Sequence, residues 1–230
     1  MSNRNGERAV PRQADYRVLR IDSSANPGES VSRQLGDEVI RRITGQGGRV
    51  KVHTIDLARG MPHIDADWVE ANFTPADRRS AVQQARLAAS DAAVAALRAA
   101  DVLVMTVPVY NFSVPSALKA WIDHVCRAGV TFRYTADGPK GLLDDRPVYL
   151  AMASGGVPFG SAVDFASGYL RQVLAFIGLN DVRLIGAAGV AADAQAARSA
   201  ALEQLDHWLP DVGGQVARGG GYAGPEIHQR

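Results

Sequence analysis

The run 102–108 (VLVMTVP) constrains the fold more than any other segment. An extended chain with apolar residues on both faces must be covered from both sides, as in a parallel sheet. The rest of the sequence supplies what such a strand needs. Short extended patterns are expected at 17–21 (RVLRI), 50–57 (VKVHTIDL), 146–153 (RPVYLAMA) and 181–187 (DVRLIGA). Helical patterns alternate with them at 32–43, 75–100, 116–127, 161–177 and 192–208. In the helix at 116–127, Leu118, Trp121, Ile122 and Val125 share one face at i, i+3, i+4 and i+7.

Five strands, each followed by a helix, imply a parallel sheet between two helical layers. Right-handed crossovers and a count of five strands favour the order 2-1-3-4-5. Ligands in such sheets sit outside the carboxyl ends of the strands, where the order reverses. With 230 residues, one domain is expected. Residues 16–210 form that domain, and the polar or glycine-rich stretches 1–15 and 211–230 read as tails.

Charge and cysteine content narrow the function. With 25 Lys and Arg against 24 Asp and Glu, the chain has no bulk field for nucleic acid or an anionic membrane. One cysteine, Cys126, leaves no intramolecular disulfide and no cysteine-based metal site, and it is expected as a packed thiol within a helix. The five histidines lack metal-ligand spacing, so no metal is expected. His124 reads as a surface or rim residue, and Asp22 and Asp123 as solvated or capping residues. No segment approaches the length of a membrane span, and the first residues lack a secretory apolar region, so the expected location is the cytoplasm.

Three loops follow strands that should meet at one crevice. The first, 22–32 (DSSANPGESVS), offers small hydroxyls before a helix, which suits a phosphate. Its plainer reading is a loop ending in Ser32 as helix cap. The second, 108–115 (PVYNFSVP), places two aromatic residues and an asparagine at a strand end. They suit a planar ligand, or else Phe112 plugs the sheet end while Asn111 makes a turn. The third, 153–160 (ASGGVPFG), has paired glycines that allow close backbone approach, or simply a flexible turn.

The segments 108–112 (PVYNF), 118–135 (LKAWIDHVCRAGVTFRYT) and 138–142 (GPKGL) add a further signal. With Ser23–Ser24, Ser30-Val31-Ser32, Gly155–Gly156 and the LAFIGL run at 174–179, they resemble the FMN-dependent NADH-azoreductase and quinone-reductase family. The likeness spans about 18–205 and implies a flavodoxin-like three-layer α/β/α fold. It implies that Ser24, Ser30, Val31 and Ser32 hold the FMN phosphate. Val109, Tyr110, Asn111 and Phe112 would line the flavin ring, and Ala153, Ser154, Gly155 and Gly156 its pyrimidine edge. Phe112, Tyr134 and Phe176 become substrate-side candidates. Arg59, in the loop after the second strand, is a candidate for an anionic substrate or a cofactor phosphate, or else a solvated charge. Two departures stand out: Val109 replaces the usual Met, and the arginine of the usual S-R-G-G is missing from 153–156.

The resemblance further implies two-electron, ping-pong reduction of quinones and azo compounds, with NADH or NADPH as donor and no catalytic side chain. It also implies a homodimer with the active site at its interface. A flavodoxin-like single-electron carrier, or a redox-sensing flavoprotein without turnover, is the alternative expectation.

Overall fold

The structure, a computed structural model, describes residues 16–211. The expected tails therefore lie outside the described residues, apart from Asp211. In chain order the elements are β1 (Tyr16–Asp22), α1 (Val31–Gly45), β2 (Val50–Asp56), α2 (Ala66–Phe73), α3 (Ala81–Ala99) and β3 (Val102–Pro108). Then come α4 (Ser116–Val125), β4 (Phe132–Thr135), β5 (Gly138–Gly141), β6 (Val148–Ser154), α5 (Ser167–Ile177), β7 (Val182–Ala188) and α6 (Ala194–Trp208). Short 3-10 turns occupy Leu57–Arg59 and Ala76–Arg78.

Five strands pair in parallel in the order β2-β1-β3-β6-β7. The expected order 2-1-3-4-5 counted only the strands of this sheet. The hairpin β4–β5, which pairs separately and antiparallel, interposes two more and shifts the numbering. Every residue of β3 is buried, as its composition requires.

Alternate residues of β3 serve different layers. Leu103, Met105 and Val107 join one core with Leu97 of α3, Trp121 of α4 and Leu170 of α5. Val102 and Val104 join the other, with Leu35 and Val39 of α1 and Ala201 and Leu205 of α6. Fully burying each large apolar side chain contributes about 1.5–3 kcal/mol. The two cores together fix which face of each strand points which way.

Several local expectations are corrected. The helix expected at 75–100 starts at Ala81, because Ser80 and Gln83 form a reciprocal capping box there. The helix expected at 161–177 starts at Ser167. Asp164 accepts from the amides of Gly160, Ala166 and Ser167 and holds the preceding loop in turns. α2 and the β4–β5 hairpin were not expected at all. Ser32 is not the cap of α1. Ser30 is, its hydroxyl accepting from the Arg33 amide, and Ser32 is fully buried as the second residue of the helix.

Three further residues sit elsewhere than expected. His124 is 1% exposed, its Nε2 within 2.9 Å of the Pro62 carbonyl and its ring edge-on to Trp68. This contact docks the segment before α2 onto α4. Cys126 follows the last residue of α4 instead of lying inside the helix, and burial pushes its thiol pKa up to about 11. Asp22 is a buried carboxylate, neither solvated nor a cap.

Candidate functional site at the carboxyl edge of the sheet

The carboxyl ends of β1, β3, β6 and β7 open on a cleft of about 310 Å³. Ser24, Asn26, Glu29, Ser30 and Val31 line it from the loop after β1 and the start of α1. Pro108, Val109 and Tyr110 come from the end of β3, and Ala153, Ser154 and Gly155 from the end of β6. The three loops singled out in the sequence do converge. Val190 and Ala191, after β7, complete the wall and were missed. The signal for them was the strand order itself, which sets β7 beside β6.

The first loop is built to present its hydroxyls. β1 ends at Asp22, whose carboxylate accepts from Thr106 Oγ1 at 2.7 Å and Arg20 Nε at 2.7 Å. Ser23 donates its hydroxyl to the Thr106 carbonyl, fixing the exit from the strand. The Ser24 hydroxyl, Asn26 and Gly28 then close small turns on one another. α1 begins at the far side of the cleft. The first amides of a helix have no partner within it and carry partial positive charge, so an anion is favoured there.

The second loop is a two-residue turn. Tyr110 and Ser113 exchange both backbone hydrogen bonds at 3.0 Å across Asn111 and Phe112. Both central residues have positive φ, 48° and 69°, as a type I′ turn requires. Asn tolerates that region, whereas a phenylalanine there is strained. Phe112 remains 54% exposed, so it does not plug the sheet end. The Tyr110 hydroxyl accepts from the Ala25 amide at 3.3 Å and ties this turn to the first loop.

The third loop turns on Ser154, whose hydroxyl accepts from the Val157 amide at 2.8 Å. The carbonyls of Ser154 and Gly155 accept from Val190 and Ala191. The amides of Gly155 and Gly156 have no partner among the described residues. They are donors in reserve beside the cleft.

Other expected residues stand apart from this cleft. Asn111 lines a second cleft of about 620 Å³, shared with Tyr110, Lys119, Phe165 and Tyr169. Phe112, Gly156 and Ser32 line neither. Arg59 lies exposed in the 3-10 turn after β2. Tyr134 is 75% exposed on β4, and Phe176 on α5 packs against Phe132 with ring centroids 4.2 Å apart.

A crevice outside four parallel strand ends, flanked by a helix N-terminus, defines a doubly wound α/β protein. A family profile of the flavodoxin-like fold matches residues 16–209. The chain belongs to that family. It is 49% identical over 189 residues to "FMN-dependent NADH:quinone oxidoreductase 1" of Jannaschia sp. (strain CCS1), covering 82% of this chain and 96% of that protein. It is 44% identical over 189 residues to the protein of the same name from Hahella chejuensis (strain KCTC 2396), covering 82% and 93%. Among solved structures it resembles an FMN-dependent NADH-azoreductase from Bacillus anthracis str. Ames Ancestor in complex with FMN. The TM-score is 0.75 at 23% identity, covering 84% of this chain and 97% of that one. At that identity the likeness bears on the fold alone.

Proposed function

We propose that this protein is an FMN-dependent NADH:quinone oxidoreductase that also reduces azo compounds. One observation carries the reading: a single cleft gathers the Ser24 and Ser30 hydroxyls, the start of α1, the Val109–Tyr110 strand end and Ser154–Gly155. Relatives above 40% identity that carry the name FMN-dependent NADH:quinone oxidoreductase support it.

The residues present fit FMN. Hydroxyls and helix amides suit a phosphate monoester, and the unpartnered Gly155 and Gly156 amides suit the polar edge of a planar ring. The volume lies at the lower end of the range of about 300–1,000 Å³ for small-molecule pockets, and the second cleft adjoins it at Tyr110. Bound FMN supplies two-electron hydride chemistry that no side chain of this cleft supplies. Ser24, Ser30 and the amides of Val31 and Ser32 then hold the phosphate. The turn at Tyr110–Phe112 supports the ring from one side. The Gly155 and Gly156 amides would be the donors for its pyrimidine edge, as in an oxyanion hole. The missing arginine in 153–156 leaves that work to the backbone.

The nicotinamide donor and the quinone or azo acceptor use the same open face in turn, which gives ping-pong kinetics. Phe165, which lines the second cleft, and the exposed Phe112 supply apolar contact for the acceptor and for a second copy of the chain. In this reading the protein is a C2 homodimer whose active site lies at the interface, and Tyr134 and Phe176 reach the acceptor there. Arg59, exposed in the turn after β2, is the candidate for a nucleotide phosphate carried over from the sequence.

The test is anaerobic stopped flow on protein reconstituted with FMN. Mixing with NADH bleaches the flavin absorbance, and a benzoquinone restores it. Parallel runs with NADPH give the donor preference. Tight FMN binding without bleaching by either nucleotide assigns the protein to carriers or sensors instead. Absence of FMN binding overturns the reading altogether.

A further inference from the structure

Arg33 is 9% exposed, sits in the first turn of α1, and does not line the cleft. Its guanidinium runs behind the cleft and joins three pieces of chain. Nη2 donates to the Ser24 carbonyl at 2.9 Å and to Asp56 Oδ1 at 2.7 Å. Nη1 donates to Asp56 Oδ2 at 3.2 Å and to Asp22 Oδ2 at 3.3 Å. Asp56 ends β2 and Asp22 ends β1. A planar fork thus spans the ends of two strands and grips the backbone of the loop between β1 and α1.

Two physical consequences follow. First, the Ser24 carbonyl is fixed, and with it the orientation of the Ser24 hydroxyl and the turn through Asn26 and Gly28. Second, Asp22 and Asp56 place two carboxylates just behind a cleft that offers its front to an anion. Without a cation between them, their field would oppose a phosphate. Arg33 pairs with both, and Arg20 assists at Asp22.

We infer that Arg33 is a positioning residue that makes the loop after β1 selective for a phosphate monoester, acting through Ser24 and the paired carboxylates without touching the ligand. This rests on the flavin reading above and adds a specificity determinant to it. Lysine keeps the charge but cannot form the fork to Asp56 while holding the Ser24 carbonyl.

The experiment compares the dissociation constants of FMN and riboflavin, which differ by the phosphate, using quenching of flavin fluorescence. Wild type, Arg33→Met and Arg33→Lys are measured, each checked for folding by thermal unfolding. Arg33→Met is expected to weaken FMN at least tenfold and to leave riboflavin within twofold. Arg33→Lys is expected to weaken FMN severalfold, again without moving riboflavin. Should Arg33→Met fail to fold, Arg33→Gln, which keeps a donor within reach of the Ser24 carbonyl but loses the charge paired with Asp22 and Asp56, is expected to narrow the FMN-to-riboflavin ratio in the same direction. Equal losses for both flavins, or an unchanged FMN constant in the folded variants, overturns the inference while the flavin reading stands. A wild-type protein that binds neither flavin overturns both.

Discussion

At the scale of single residues, Phe112 shows how the site trades stability for shape. Its φ of 69° belongs to glycine, and its ring is more than half exposed, so little burial offsets the strain. A bulky residue held there costs about 1–3 kcal/mol, and glycine's extra unfolded-state entropy returns roughly 0.5–1 of that. Phe112→Gly should therefore stabilise the flavin-free protein by about 1 kcal/mol in thermal unfolding. In the proposed enzyme it should also slow quinone turnover, because an aromatic face beside the acceptor is lost. A less stable variant would mean that the ring makes contacts worth more than the strain. Tyr110, at the start of the same turn, has a role that no local reading finds. Its hydroxyl meets the Ala25 amide across most of the distance from β1 to β3 in sequence.

At the scale of elements, α1 lies so close to the sheet that a Cβ at Gly36 would overlap Thr106 Cγ2. Thr106 cannot swing away, because its hydroxyl is bonded to Asp22. Alanine gains about 1 kcal/mol in helix propensity, and overpacking costs about 1–3 kcal/mol. Gly36→Ala should thus lower stability by up to about 2 kcal/mol in urea denaturation, against the usual sign for a mid-helix glycine. The same helix carries Glu38, whose carboxyl Arg41 first and then Arg42 hold down to about 2. Its folded-state pKa lies below its ordinary value, so its stabilisation is complete above the usual carboxylate range. That stabilisation drains away as pH falls toward about 2. Glu38→Gln should be less stable than wild type at pH 7, and the two unfolding curves should converge near pH 2. A difference that does not change with pH would sink this account.

The elements legible in the sequence were those with a long apolar signature. β3 is buried on both faces and reads so; α4 shows its stripe directly. α2 escaped because only Trp68 and Ala71 of its eight residues are buried. The β4–β5 hairpin escaped because GPKG alternates in nothing. The three loops of the cleft were legible through the topological rule for parallel sheets, not through any one motif. The Arg33 network and the Val190–Ala191 wall depend on contacts between distant segments, which periodicity does not encode.

For the whole molecule, a ligand that binds only the folded chain should raise its stability by mass action. FMN at 100 times its dissociation constant contributes about 2.7 kcal/mol, or roughly 5–11 °C in Tm for a domain of this size. Differential scanning fluorimetry with FMN and with riboflavin reads this directly. A shift absent with FMN would contradict the proposed cofactor. No helix of the described residues is long and apolar enough to cross a membrane.

The strand order has one further consequence, in time instead of space. β1 lies between β2 and β3, yet β3 follows it in the chain only after α1, β2, α2 and α3. On a ribosome adding about 5–20 residues per second, the inner edge of β1 waits roughly 4–17 s for Val102–Pro108 to emerge. During that wait its backbone groups are open to any passing strand. The first half of this protein thus carries an unpaired strand edge until the middle of its sheet has been made.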